Sequence, residues 1–175
     1  VVYNTVQLYT KRGLGATQEA IDHAKSKNYI AGLKLVRGAY MEKERERAAK
    51  NGYPSPIQDT KEDTDRDFDK AMELCVENIE HVNLCAGTHN ESSSKYLTEL
   101  LKKKGISPDD RRVYFSQLLG MSDHISFNLS TAGYRVAKYV PYGPVRDVIP
   151  YLLRRAKENT SVKGQTLSLI HISEP

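Results

Sequence analysis

An α/β fold on a parallel sheet is the class this sequence predicts, and three observations carry the prediction. Runs rich in Val, Leu, Tyr and Thr alternate with helix-period patterns in about five successive units. The connections are mostly short, as strand–helix–strand crossovers require. No phosphate-binding glycine loop interrupts them: GxxxxGKS/T is absent, and Gly13-Leu14-Gly15-Ala16 lacks the third glycine of a dinucleotide fingerprint. An open nucleotide-binding sheet is therefore disfavoured, and a partial (β/α)8 barrel is expected. A whole barrel of this type takes about 250 residues. The 175 residues here suit about five of its eight units.

Residues 2–9, with Val, Tyr and Thr interleaved, read as the first strand. Residues 16–29 put Ala20, Ile21 and Ala24 on one helical face. "GLKLVRGAY" (32–40) is a second strand ending on Gly-Ala. The charged stretch after it and "NGYPSPIQDT" (51–60) read as a loop with its own turn chemistry. Residues 64–80 carry Phe68, Met72, Cys75 and Val76 at helical spacing behind an acidic first turn. Then come a strand over 82–90, a helix over 92–105 closed by Gly105, and a strand over 111–121. A helix over 122–133, opened by Ser122 or Asp123 and closed by Gly133, leads to the fifth strand at 134–143. The last helix is read over 144–159. Met121, Phe127 and Leu129 are assigned to the core.

Composition removes several function classes. The 39% hydrophobic and 27% charged content is that of an ordinary globular domain. The formal charge of +4 comes with basic residues dispersed among acids, which gives nucleic-acid binding little support. No apolar run reaches the length of a membrane span. Cys75 and Cys85 lack metal spacing and are read as two buried reduced thiols, and no metal is expected. The chain opens on Val rather than Met, directly on a strand pattern, and residues 167–175 read like translated adapter sequence. Residues 1–166 are therefore taken as part of a longer protein, and 167–175 as a foreign tail.

In barrels the chemistry sits at the C-terminal ends of the strands. Here those ends supply Gln7 and Tyr9; Lys34, Arg37 and Tyr40; Thr88, His89 and Asn90; Gln117; and Lys138, Tyr139 and Tyr142. Amides, cations and phenols dominate, with almost no carboxylate. That inventory suits holding a large anionic ligand better than acid–base work by paired acids. On the last helix Tyr151, Arg154, Arg155 and Glu158 stand at i, i+3, i+4 and i+7 and share one face.

Six blocks, "KLVRGAYMEKERERA", "GYPSPIQDTKEDTDRDF", "AGTHN", "FSQLLGMSD", "AKYVPYGPV" and "PYLLRRAKEN", resemble the corresponding blocks of the proline dehydrogenase family, in the same order and from about residue 2 to 166. The resemblance implies a flavoenzyme on a distorted (βα)8 barrel. It oxidises L-proline to Δ1-pyrroline-5-carboxylate by hydride transfer to FAD and passes the electrons to a membrane quinone. It also implies that the last helix lies over the barrel mouth. Location would be cytoplasmic or membrane-peripheral in a bacterium and mitochondrial in a eukaryote.

By the same resemblance, Arg154 and Arg155 grip the substrate carboxylate, a task for a planar fork that stays charged at any working pH. Tyr139 and Tyr151 wall the substrate ring, and Tyr40 lies at the pocket edge. Lys34 matches a basic residue near the flavin N5 edge, where bacterial members carry arginine. Gln7, Arg37, Gly38, Thr88, His89 and Gln117 match positions that hydrogen-bond the cofactor, His89 as a cofactor contact rather than a proton carrier. Glu158 orients the guanidinium pair near the flavin. The family also draws a lysine and an aspartate from its first two strands, which this chain does not contain, so the chain alone is expected to bind FAD poorly and to be inactive. Two other readings stay open: another (β/α)-barrel enzyme for a small anionic substrate, or a non-catalytic fragment.

Overall fold

A computed structural model describes residues 2–160, with side chains through Arg155. The side chain of Glu158 and the tail at 167–175 lie outside the described residues. Five strands, β1 (Tyr3–Gln7), β2 (Ala31–Val36), β3 (Val82–Gly87), β4 (Val113–Leu118) and β5 (Val136–Tyr139), form one sheet in sequential order. Every pairing is parallel. Six helices connect and follow them: α1 (Gly13–Lys27), α2 (Met41–Asn51), α3 (Lys61–Glu77), α4 (Glu91–Lys103), α5 (Asp123–Thr131) and α6 (Val145–Thr160).

The two faces of the sheet differ because side chains alternate along a strand. Leu33 and Leu35 of β2, Val82, Leu84 and Ala86 of β3, and Val113 and Phe115 of β4 point into the core. There they meet Ile21 and Ala24 of α1, Phe68, Met72 and Cys75 of α3, Leu97 and Leu101 of α4, and Ile125 of α5. The opposite face carries Tyr3, Lys34, Asn83, Cys85 and Tyr114, and between Tyr3, Asn83, Cys85, Tyr114, Arg111 and Ala137 it holds an open depression of about 370 Å³. Cys75 is buried and unreactive, its thiol pushed up to about 12 by burial. Cys85 is only partly buried and lies on the other side of the sheet, which corrects the expectation of two core thiols.

Local signals explain the helix ends. Thr60 Oγ1 accepts the Asp63 N–H at 3.0 Å and caps α3, and Asn90 Oδ1 does the same for α4 from Ser93 N–H at 3.0 Å. Asn28 closes α1 in the left-handed region at φ 52°, where its N–H returns to the Lys25 carbonyl and the Tyr29 N–H to that of Ala24.

Two expectations fail here. Residues 41–51, read as loop, are helical, and a two-helix crossover therefore joins β2 to β3. Phe127, assigned to the core, is 69% exposed, while Met121 and Leu129 are buried as expected. The loop at 52–60 docks on the exit of β1: Lys11 N–H donates to the Pro56 carbonyl at 2.8 Å, and Gln58 N–H to that of Tyr9 at 2.8 Å. The buried Ile57 anchors it.

Candidate active site

The strand ends gather cations and phenols at one edge of the sheet. Lys34 of β2 and Tyr139, the last residue of β5, share the helix-free face, and the Lys34 ammonium stands 5.2 Å from the Tyr139 ring centre. Tyr151 of α6 meets Tyr139 edge to face, with centroids 6.0 Å apart and planes at 75°. The Arg155 guanidinium lies 5.5 Å from the Tyr151 ring centre, one helical turn on. Arg154 instead reaches back to the exit of β2, where it donates to the Tyr40 hydroxyl at 3.3 Å and sits 5.3 Å from that ring centre. Helix α6 thus crosses the mouth of the sheet from the β5 exit to the β2 exit. Its two arginines, expected to act as one pair, have different neighbours. The Nε–H of Arg154 is buried with no hydrogen-bond partner among the described residues.

His89 follows β3. Its Nδ1 lies 3.0 Å from Ser122 Oγ. Burial, then the charges of Lys138 and Arg155, lower its pKa from 6.5 to about 4, so the imidazole is neutral at physiological pH. Lys138 is itself held by the Asp123 carboxylate at 2.6 Å and the Met121 carbonyl at 3.0 Å.

Three residues expected to bind cofactor have strong partners within the protein. Arg37 turns toward the helices and donates to Asp65 at 2.5 Å, Thr88 Oγ1 at 2.6 Å and Ser93 Oγ at 2.9 Å, while stacking 4.3 Å over the Phe68 ring. It ties β2 to α3, α4 and the β3 exit. Burial pushes the Asp65 carboxyl up, but hydrogen bonds from Lys61 and Arg37 outweigh that and hold it below the ordinary range. Gln117 is 1% exposed; its amide N–H donates to the Thr88 carbonyl at 3.2 Å and its Oε1 accepts from Ser126 at 3.0 Å. Thr88 Oγ1 accepts from both Arg37 and the Asn90 N–H. Gln7, by contrast, presents an exposed side chain at the end of β1. Gly38 has φ 131°, and a Cβ there would lie 2.1 Å from the Tyr9 ring, so both conformation and space demand glycine.

Sequence reasoning missed Ser122 as the partner of His89, and Asp65 and Ser93 as partners of Arg37. These pairs are 33, 28 and 56 residues apart, and no spacing rule links them.

A parallel (β/α) unit with cations and phenols at its strand ends, bridged by an arginine-bearing helix, defines a barrel-type α/β domain. The chain belongs to the proline dehydrogenase family: the model described as "Proline dehydrogenase" matches residues 1–167. Proline dehydrogenase 1, mitochondrial, of Homo sapiens is 42% identical over 169 residues, covering 95% of this chain and 28% of that protein. The hydroxyproline dehydrogenase of Xenopus laevis is 43% identical, covering 92% of this chain and 35% of that protein. Among solved structures, proline utilization A from Bdellovibrio bacteriovorus, inactivated by N-propargylglycine, superposes with a TM-score of 0.86 at 25% identity, over 92% of this chain and 17% of that one. The chain spans 25–28% of the length of the first three curated relatives it matches. No helix among the described residues is long and apolar enough to cross a membrane.

Proposed function

We propose that this chain supplies the substrate-gripping part of an FAD-dependent enzyme that oxidises L-proline to Δ1-pyrroline-5-carboxylate. The observation that carries the reading is the placement of α6. It holds Arg155 beside His89 and Lys138, and it holds Arg154 with a buried Nε–H that has no hydrogen-bond partner among the described residues. An unpartnered guanidinium N–H on Arg154 and the guanidinium of the next residue, Arg155, are donors that a carboxylate fits. The donor set also suits a flavin: the Lys34 ammonium, the neutral imidazole of His89 and the exposed Gln7 amide are hydrogen-bonding groups on the strands and their exits. FAD, when bound, supplies the acceptor for the hydride that leaves the ring carbon beside the proline nitrogen.

The protein's own groups do the rest. Arg154 and Arg155 bind the carboxylate and set the ring's orientation, while the edge-to-face Tyr139 and Tyr151 pair walls it and excludes water. Lys34 places positive charge where negative charge develops on oxidation of the substrate. Thr88 and Gln117 hold the β3 and β4 exits in place, and Arg37 and Gly38 fix the β2 exit. Residues 1–166 correspond in this reading to five of the eight units of a barrel, and electrons leave to a quinone at a membrane surface, in mitochondria for a eukaryotic source.

The test uses the full-length protein, assayed for bound flavin by absorbance and for dye reduction with L-proline and with hydroxyproline. Flavin loading with turnover of proline is expected. A colourless protein, or one reduced only by hydroxyproline, would overturn the assignment.

A further inference from the structure

The Ser122 side chain departs from what the local sequence would build. It stands at the N-cap of α5, where a serine oxygen ordinarily accepts an N–H from the first helical turn. Here the residue is left-handed, at φ 51° and ψ 43°, and makes no cap hydrogen bond. A side chain in that region is sterically costly, so two stabilising arrangements are given up at one position. The hydroxyl goes instead to His89, 3.0 Å from Nδ1. Its backbone is held on both sides. The Ser122 carbonyl accepts the N–H and the hydroxyl of Ser126, at 3.2 and 3.3 Å, and Lys138 bonds both flanking residues, Met121 and Asp123.

The direction of the bond follows from counting donors. Ser122 is buried, and among the described residues its hydroxyl has no other partner. If Nδ1 carried the imidazole proton, the hydroxyl could only accept, and its own hydrogen would be left without an acceptor. With the proton on Nε2, the hydroxyl donates to Nδ1 and both groups are satisfied. We propose that Ser122 is a positioning residue whose hydroxyl fixes His89 as the Nε2–H tautomer, a neutral donor for an acceptor oxygen of the flavin at the strand ends. The flavin half of this inference rests on the proposed function; the tautomer half does not. The low proton affinity of His89 agrees, since burial and the charges of Lys138 and Arg155 disfavour a second proton and so leave Nδ1 free to accept the Ser122 hydroxyl.

The experiment is nitrogen NMR of the full-length protein labelled at histidine, with and without FAD, alongside flavin titration. Wild type is expected to show His89 protonated on Nε2 in both states. Ser122→Gly suits the left-handed backbone and so keeps the fold. It should give a mixture of tautomers and about tenfold weaker FAD binding. Ser122→Asn, which tolerates the same backbone and keeps a donor, should restore both. A wild-type proton on Nδ1, or an unchanged tautomer in Ser122→Gly, overturns the proposal. A shifted tautomer with unchanged FAD affinity overturns its flavin half. Failure of wild type to bind FAD at all would sink the functional reading, while the tautomer would still be read in the flavin-free protein.

Discussion

Arg154 and Arg155 are neighbours in the chain that meet different rings, one over Tyr40 and the other over Tyr151. That division matters because a planar fork loses most when its geometry changes at constant charge. Arg155→Lys in the full-length protein keeps the charge and loses the fork. Its KM for proline is expected to rise by about 10- to 100-fold, the size of a charged hydrogen bond, with flavin content unchanged. Steady-state kinetics with an absorbance check on loading measures this. Gly38→Ala tests a different demand. Its Cβ would enter the Tyr9 ring at a φ that disfavours side chains, so a loss of about 2–4 kcal/mol is expected in denaturant unfolding. The arginines were legible because they sit in a block with a distinctive order of residues. Ser122 was not, since its meaning comes from a histidine 33 residues away and from a backbone angle that serine seldom adopts.

Helices with one buried face announced themselves, and α2 did not. Most of its residues are charged, and Ala48 is its only buried position among the described residues, so no apolar period marks it. Propensity favours it, from Glu, Lys, Arg and Ala, and Arg45 ties it to the Gln58 carbonyl at 2.8 Å, until Gly52 ends it at φ 69°. Helix α3 is the contrast, with a buried stripe and a working cap. Thr60→Ala should remove that cap and lower stability by about 1 kcal/mol, measurable as a shift in urea midpoint at constant slope. The strands were placed correctly but read too long. Their expected ends included 88–90 and 119–121, which lie past the last strand residues Gly87 and Leu118; the first of these carries Thr88 and His89. Helix α6 contains Pro150, which cannot donate to the Arg146 carbonyl one turn back, so the helix continues through a missing bond.

Over the whole molecule, acid is the condition that should separate the site from the scaffold. Burial, with Lys138 and Arg155, depresses His89 from 6.5 to about 4. Between those values the unfolded chain binds a proton that the folded chain refuses. The contribution is therefore complete above pH 6.5 and is lost as pH falls through about 4. The melting temperature should decline across that window, and His89→Asn should flatten the decline. Asp65, depressed below the ordinary 3.8, contributes its loss only at still lower pH. The fold class was legible as a whole because alternation of period is a property of the entire chain. The depression between Tyr3, Asn83 and Tyr114 was not, because it exists only once separate strands lie side by side.

The strand order has a consequence for how such a chain is made. Each strand bonds only to the one synthesised before it and the one synthesised after it. A polypeptide emerging from the ribosome can therefore add each of these strands to the one just made, in the order of translation. Arg155, on a helix that follows all five strands in the chain, would then arrive over a floor already in place.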